Sequence, residues 1–280
     1  MTSQAPIRTR SWLFTPATRP ERFAKASQAG ADVAILDLED AVAPGDKVRA
    51  RNTALDYLAG NPSDGTLHAL RINGLDTRTG ISDLDALLGS KAAPDFLVLP
   101  KTETAGHLEI LDRLLTAAGK ATRLIGLIES ARGLAAVEAI ATATPRLAGL
   151  MLGAADMAAD LGTTVAWEPL AFVRCRFIAA CALAGAVSVD SPYFDLHDEP
   201  GLKREVNGAV TFGFSAKAAI HPAQIGAINA ALTPSAEAVE RARAILAENA
   251  KGVGTVDGQM IDEAVARKAR RTLASAGLEA

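Results

Sequence analysis

Eight short apolar runs, each followed by a longer amphipathic stretch, constrain this 280-residue chain more than any other feature. The runs are Ser11 to Phe14, Val33 to Leu38, Leu67 to Ile72, Phe96 to Leu99, Leu124 to Ile128, Leu147 to Leu152, Ala186 to Val189 and Ala216 to Ile220. Near-continuous apolar runs of this length are the pattern of strands buried on both faces of a parallel sheet. The stretches between them predict helices at about 20–29, 46–58, 82–88, 104–118, 131–141, 199–212 and 222–231, with helical segments from the sixth run to about 184. Pro20 suits a first helical turn and Gly30 a helix stop. Eight strand-then-helix units favour closure into a (β/α)8 TIM barrel, with an open doubly wound sheet as the alternative.

Thr233-Pro234 interrupts the alternation. The barrel is therefore assigned to 1–232, and 233–280 to a C-terminal helical lid and oligomer contact. Ser235 is the expected N-cap of a helix to Asn249. Gly252, Gly254 and Gly258 read as a flexible link before a last helix, 262–276.

Composition excludes several function classes. About half the residues, 49%, are apolar, enough for a large core. The net charge of −3 carries no basic face, so no nucleic-acid partner is expected. The segment MTSQAPIRTRSW lacks the apolar centre of a signal peptide. No run approaches the ~20 apolar residues that span a bilayer, so no membrane partner is expected either. Cys175 and Cys181 match no zinc or redox spacing and read as structural thiols, which points to a cytoplasmic protein.

In barrels of this kind, chemistry gathers where strands meet the loops that follow them. The polar residues there are Arg19 after the first run, Asp37, Glu39 and Asp40 after the second, and Arg71 and Asn73 after the third. Lys101, Glu129, Asp156, Asp190 and His221 follow the fourth to the eighth. Glu129 and Asp156 stand after adjacent strands. Two carboxylates facing one pocket repel unless a cation or a proton intervenes, and hard oxygen ligands suit Mg²⁺. On spacing alone the alternative stands that both are helix N-terminal acids, with Asp156 capping Met157 to Leu161. Arg71 is a fork able to hold a carboxylate, or the partner of an acid in Asp37 to Asp40. His221 is a base or a structural residue, and Lys101 a Schiff-base former or a neutralising charge. No nucleophile elbow and no nucleotide fingerprint occurs in convincing context.

These segments, in order, resemble the citrate lyase β-subunit-like branch of the HpcH/HpaI aldolase superfamily. They are RSWLFTPATRPERF (10–23), GADVAILDLEDAVAPGDK (30–47), LRINGLDTRTG (70–80), LPKTET (99–104), LIGLIESARGL (124–134), GLMLGAADMAADLG (149–162), IHPAQI (220–225) and GQMIDEAV (258–265). The resemblance implies a barrel with a C-terminal lid, assembled as a homotrimer. It implies that Glu129 and Asp156 ligate Mg²⁺, and that Glu39 and Asp40 form an acidic pair beside the metal, where a water near them is the expected catalytic acceptor of the substrate's hydroxyl proton. It implies that Arg71 binds the substrate carboxylate and that Arg19 and Lys25 contact the phosphates of coenzyme A. Asp262 matches a catalytic acid that reaches a neighbouring subunit's site.

Three departures from the pattern are visible. Ala155 stands where the family often has Glu, and Ala264 where it often has Pro. His221-Pro222 replaces the Asn-Pro usual in carrier-protein-dependent β subunits. The implied activity is cleavage of a 3-hydroxyacyl-CoA thioester to acetyl-CoA and a 2-oxo acid. (S)-Citramalyl-CoA, giving pyruvate, is the expected substrate, because the compact length and the GAADMAADLG stretch (153–162) resemble the stand-alone citramalyl-CoA lyases, and the small Ala154 and Ala155 leave room for its methyl group. Malyl-CoA or citryl-CoA cleavage, a citrate lyase β subunit, a malyl-CoA thioesterase and a non-catalytic binding protein are the alternatives.

Overall fold

In the computed structural model, which describes residues 9–60, 62, 65–252 and 254–278, the chain forms a closed parallel barrel in the order β1 to β8. Most of the segment read for a signal peptide, residues 1–8, lies outside the described residues. The strands are β1 (Ser11–Pro16), β2 (Val33–Asp37), β3 (Leu67–Arg71), β4 (Phe96–Leu99), β5 (Arg123–Ile128), β6 (Leu147–Leu152), β7 (Val187–Asp190) and β8 (Ala216–Ala219). Pairing of β1 with β8 closes the ring. Around it run α1 (Phe23–Gln28), α2 (Lys47–Ala59), α3 (Arg78–Gly89), α4 (Ala105–Ala117), α5 (Ala131–Ala135), α6 (Val137–Ala141), α7 (Ala154–Asp160), α8 (Ala171–Ala184), α9 (Glu199–Phe212) and α10 (Ile225–Leu232). The open-sheet alternative is not realised. No helix among the described residues is long and apolar enough to cross a membrane.

The strands bury both faces because alternate residues serve different cores. Trp12, Val33, Ile35, Ala69, Ile125 and Leu127 fill the barrel. Leu36, Leu70, Leu97, Leu124 and Leu150 face the helices. Parallel register carries this alternation round the ring, with Ile35 opposite Ala69 and Asp37 opposite Arg71. The inward ladders therefore end, at the C-terminal rim, in charged residues: Asp37 above Ile35, Arg71 above Ala69 and Glu129 above Leu127.

Two local structures differ from the sequence expectation. Helix α3 starts at Arg78, four residues before the expected start, because the Thr77 hydroxyl accepts from the Gly80 N–H. Only glycine fits at position 80, where a Cβ would collide with the Gly74 carbonyl oxygen. The expected flexible link is instead a hairpin, β9 (Gly254–Val256) against β10 (Gln259–Ile261). Its turn is Asp257-Gly258, with both φ angles positive, the geometry that Asp-Gly turns favour. The hairpin packs with α11 (Ala236–Asn249) and α12 (Glu263–Ser275) around Ala242, Ile245, Ile261, Ala269 and Leu273. Ser235 caps α11 as expected, accepting from the Ala238 N–H.

Candidate active site at the barrel rim

Arg71 organises the rim. Its Nε and NH2 donate to the two carboxylate oxygens of Asp37 at 2.6 and 2.7 Å. The pair is fixed by register, since the two residues face each other on β2 and β3. Its NH1 lies 2.9 Å from Glu39 Oε2 and 3.5 Å from Asp40. Glu39 Oε2 is buried and makes no hydrogen bond, so that contact is one of charge without alignment. The guanidinium lies over the Phe14 ring, 4.7 Å from its centroid. Both readings of Arg71 meet here: Asp37 takes one edge of the fork, and the guanidinium still lines the cavity.

Asp37 also accepts from the backbone N–H groups of Glu39 and Ala41, which shapes the turn after β2. Sequence reasoning left Arg71 a choice of acids. The signal that singles out Asp37 was present as period-two alternation, which puts Asp37 inward with Val33 and Ile35.

Glu129 follows β5 and is buried. Lys101 donates its backbone N–H to Glu129 Oε1 at 2.8 Å, from a left-handed conformation with φ of 48°. A non-glycine residue held there is strained, a feature that clusters at functional sites. The other oxygen, Oε2, lies over Gly153, where a Cβ would come within 2.7 Å. Burial pushes the Glu129 carboxyl up to about 8, with the charges of Glu39 and Asp156 acting in the same direction. Burial likewise raises Glu39 to about 7, against the pull of Arg71. The Lys101 ammonium is 3.8 Å from Glu39 and more than half exposed. That is a neutralising position, with none of the burial that activates a Schiff-base lysine.

Asp156 does not cap its helix. Gly153 is the N-cap residue of α7 and offers no side chain, while exposed Asp156 lines the cavity. Glu129 and Asp156 thus share one cavity of about 320 Å³ with Arg71, Asp37 and Asp40. Its other wall is apolar and includes Leu127, Met151, Ala154, Pro192 and Phe194.

The donor set fits a hard divalent cation. It is all oxygen, and buried Glu129 lies near the carboxylates of Glu39 and Asp156, so a cation would offset both its burial and their repulsion. Among the described residues no group of three or more His, Cys, Asp and Glu side chains is arranged to hold a metal. A cation here would draw on Glu129, Asp156 and then water or substrate, the habit of Mg²⁺.

A second cleft of about 340 Å³ adjoins the cavity and shares Phe14 and Ile220 with it. Lys25, Arg22 and His221 line it. Arg19 does not: it is exposed and precedes the short 3-10 turn Pro20–Arg22. Arg22 went unnoticed in the sequence, because nothing there shows which face of the turn meets the cleft. His221 is a helix-capping residue. Its Nδ1 accepts from the Ala223 N–H, and Gln224 reciprocates. Asp262 caps α12 through the Val265 N–H, is exposed, and does not line this chain's own cavity. Both cysteines lie on α8, Cys175 exposed and Cys181 buried, with burial pushing the Cys181 thiol up to about 12.

The chain is 38% identical to L-malyl-CoA/beta-methylmalyl-CoA lyase of Rhodobacter capsulatus, over 95% of this chain and 94% of the relative. The structure of RipC from Yersinia pestis is 57% identical, with a TM-score of 0.74 over 83% of this chain and 98% of that one. CitE from Mycobacterium tuberculosis, solved with magnesium, acetoacetate and coenzyme A, is 37% identical, with a TM-score of 0.79 over 96% of this chain and 98% of that one. The HpcH/HpaI aldolase/citrate lyase model matches residues 10–222, from just before β1 to just past β8, and so spans every rim residue described above. On that coverage, the chain belongs to the HpcH/HpaI aldolase/citrate lyase family.

Proposed function

We propose that the protein is a Mg²⁺-dependent carbon–carbon lyase that cleaves (S)-citramalyl-CoA to acetyl-CoA and pyruvate. The observation that carries this reading is the pairing, in one cavity, of a fixed guanidinium with two carboxylates suited to a divalent cation. The Rhodobacter relative named as a malyl-CoA lyase, and the Mycobacterium neighbour solved with magnesium and coenzyme A, support the same chemistry.

Each residue then has a task. Glu129 and Asp156 hold Mg²⁺, which when bound acts as a Lewis acid on the oxygen charge that develops as the carbon–carbon bond breaks. Arg71 shares its NH1 end, the part not taken by Asp37, with the substrate carboxylate and so orients it. Glu39 and Asp40 keep that end of the guanidinium in place, and a water beside them takes the substrate's hydroxyl proton as the carbon–carbon bond breaks and its carbonyl forms, with Asp40 on the cavity wall as the base. Lys25 and Arg22 face the phosphates of the coenzyme A arm in the adjoining cleft, with Arg19 nearby on the surface. Ala154, buried in the cavity wall, leaves space for the citramalyl methyl group. One methyl group is worth roughly 1–3 kcal/mol of discrimination. Among citramalyl-CoA, malyl-CoA and citryl-CoA, the first is therefore expected to show the highest kcat/KM, by roughly ten- to 200-fold. A higher value for either of the others overturns the substrate assignment.

Asp262, exposed at the N-cap of α12, supplies the proton to the enolate carbon of acetyl-CoA from a neighbouring subunit of a homotrimer, as the resemblance of its motif implies. Subunit mixing tests this. Asp262→Ala and Arg71→Lys are each expected to be nearly inactive, and co-refolding them is expected to restore part of the activity. A mixture no more active than its parents contradicts action across subunits.

A further inference from the structure

Three carboxylates reach the site on one turn, Asp37 to Ala41, and that turn is held from behind by a residue with no task so far. Lys47, the first residue of α2, directs its Nζ to the carbonyl oxygens of Leu38 at 2.8 Å and Glu39 at 2.6 Å. Asp46, next to it in sequence, is paired with Arg49 instead. The ammonium is thus directed at the main chain of the acidic turn. Hydrogen bonds from a charged donor are roughly twice as strong as neutral ones. Asn73 adds a further bond to the Leu38 carbonyl at 3.0 Å.

The geometry points to Lys47 as a positioning residue for the site: it fixes the peptide groups whose side chains, Glu39 and Asp40, face Arg71. The carbonyls of Leu38 and Glu39 accept from Lys47, while the N–H groups of Glu39 and Ala41 donate to Asp37. The turn is pinned on both its acceptor and its donor side. Without Lys47 the Leu38 carbonyl keeps only Asn73 and the Glu39 carbonyl only the Val42 N–H, so the turn loses its one charged donor and loosens, letting the Glu39 and Asp40 carboxylates drift from the guanidinium. Lys47 touches neither the cavity nor a carboxylate, so its effect on the site runs through backbone geometry alone.

The test uses the full chain with Lys47→Met and Lys47→Arg and two readouts. The first is amide hydrogen exchange across residues 37–42. Lys47→Met is expected to accelerate it about tenfold with the barrel strands unchanged, and Lys47→Arg to stay near wild type. The second is Mn²⁺ affinity by electron paramagnetic resonance, which rests on the metal reading above. Lys47→Met is expected to weaken it about tenfold, because displaced Glu39 no longer adds its negative charge beside Glu129, as when a residue surrounding a metal ligand is lost.

Unchanged exchange overturns the proposal, and so does acceleration spread over the whole barrel. Faster local exchange with unaltered Mn²⁺ affinity overturns it as well. If wild type itself binds no Mn²⁺, the metal reading fails and the exchange data alone decide the role of Lys47. Should Lys47→Met not fold, Lys47→Gln, which keeps a neutral donor, carries the same readouts.

Discussion

Glu129→Gln is expected to abolish lyase activity while making the metal-free protein more stable at alkaline pH. The folded-state value of Glu129, about 8, lies above its value in the unfolded chain. Between those two values the folded protein holds a proton that the unfolded chain has released. Stability from this group is therefore fully present at low pH and is lost as pH rises towards 8, at about 1.4 kcal/mol per pH unit for one proton. Glu39, raised to about 7 in the same cluster, adds to the slope, and the two titrate as a pair. The substituted glutamine carries no charge at any pH, so thermal denaturation of the variant in EDTA should show a flatter profile between roughly pH 5 and 8.

On the proposed reading magnesium should have the opposite pH dependence in the wild type. Bound by the ionised carboxylates, it should give a stabilising shift that grows as pH rises through the same window. The variant should lose that shift and lose roughly 10³-fold or more in kcat, as when a main charge-stabilising group is removed. A variant with wild-type pH dependence and wild-type magnesium response would remove Glu129 from the site.

Arg71→Lys is the second large effect. Lysine keeps the charge and loses the planar fork that meets both oxygens of Asp37. Asp37 is almost fully buried, and an incompletely paired buried carboxylate is costly. Breaking a buried pair outright costs about 3–5 kcal/mol, so Arg71→Ala should fold poorly, and Arg71→Lys should lose part of that amount. A thermal midpoint lower by several degrees and a kcat/KM lower by roughly 10²-fold are expected for Arg71→Lys. Asp37→Asn separates the two roles. It keeps Arg71 for the substrate but loosens its orientation, so kcat should fall more than the substrate affinity. Equal wild-type activity in both variants would mean that the fork is structural only.

The barrel was legible because its signal is long-range repetition. Eight apolar runs survive local ambiguity because helix-facing and barrel-facing positions are both mostly apolar, even though the buried His68, Ser188 and Lys217 sit inside β3, β7 and β8. The rim was legible in part. Arg71, Glu129 and Asp156 stand where apolar runs stop, and stopping points are visible in sequence. That Asp156 is a cavity residue and no cap depends on the geometry of Gly153, which sequence does not show. The Asp257-Gly258 hairpin was readable from its dipeptide, but three nearby glycines point equally to a flexible link. Arg22 and Lys47 were not readable. Each acts through the direction of a side chain leaving a short 3-10 turn or the helix that follows one, and one-residue differences there turn the side chain to another face.

Product balance on citramalyl-CoA decides between carbon–carbon cleavage and its rivals. With Mg²⁺ present, acetyl-CoA and pyruvate are expected in equal amounts, and neither is expected after EDTA treatment. Release of free CoA together with citramalate would show hydrolysis of the thioester in place of carbon–carbon cleavage, and would contradict the lyase assignment.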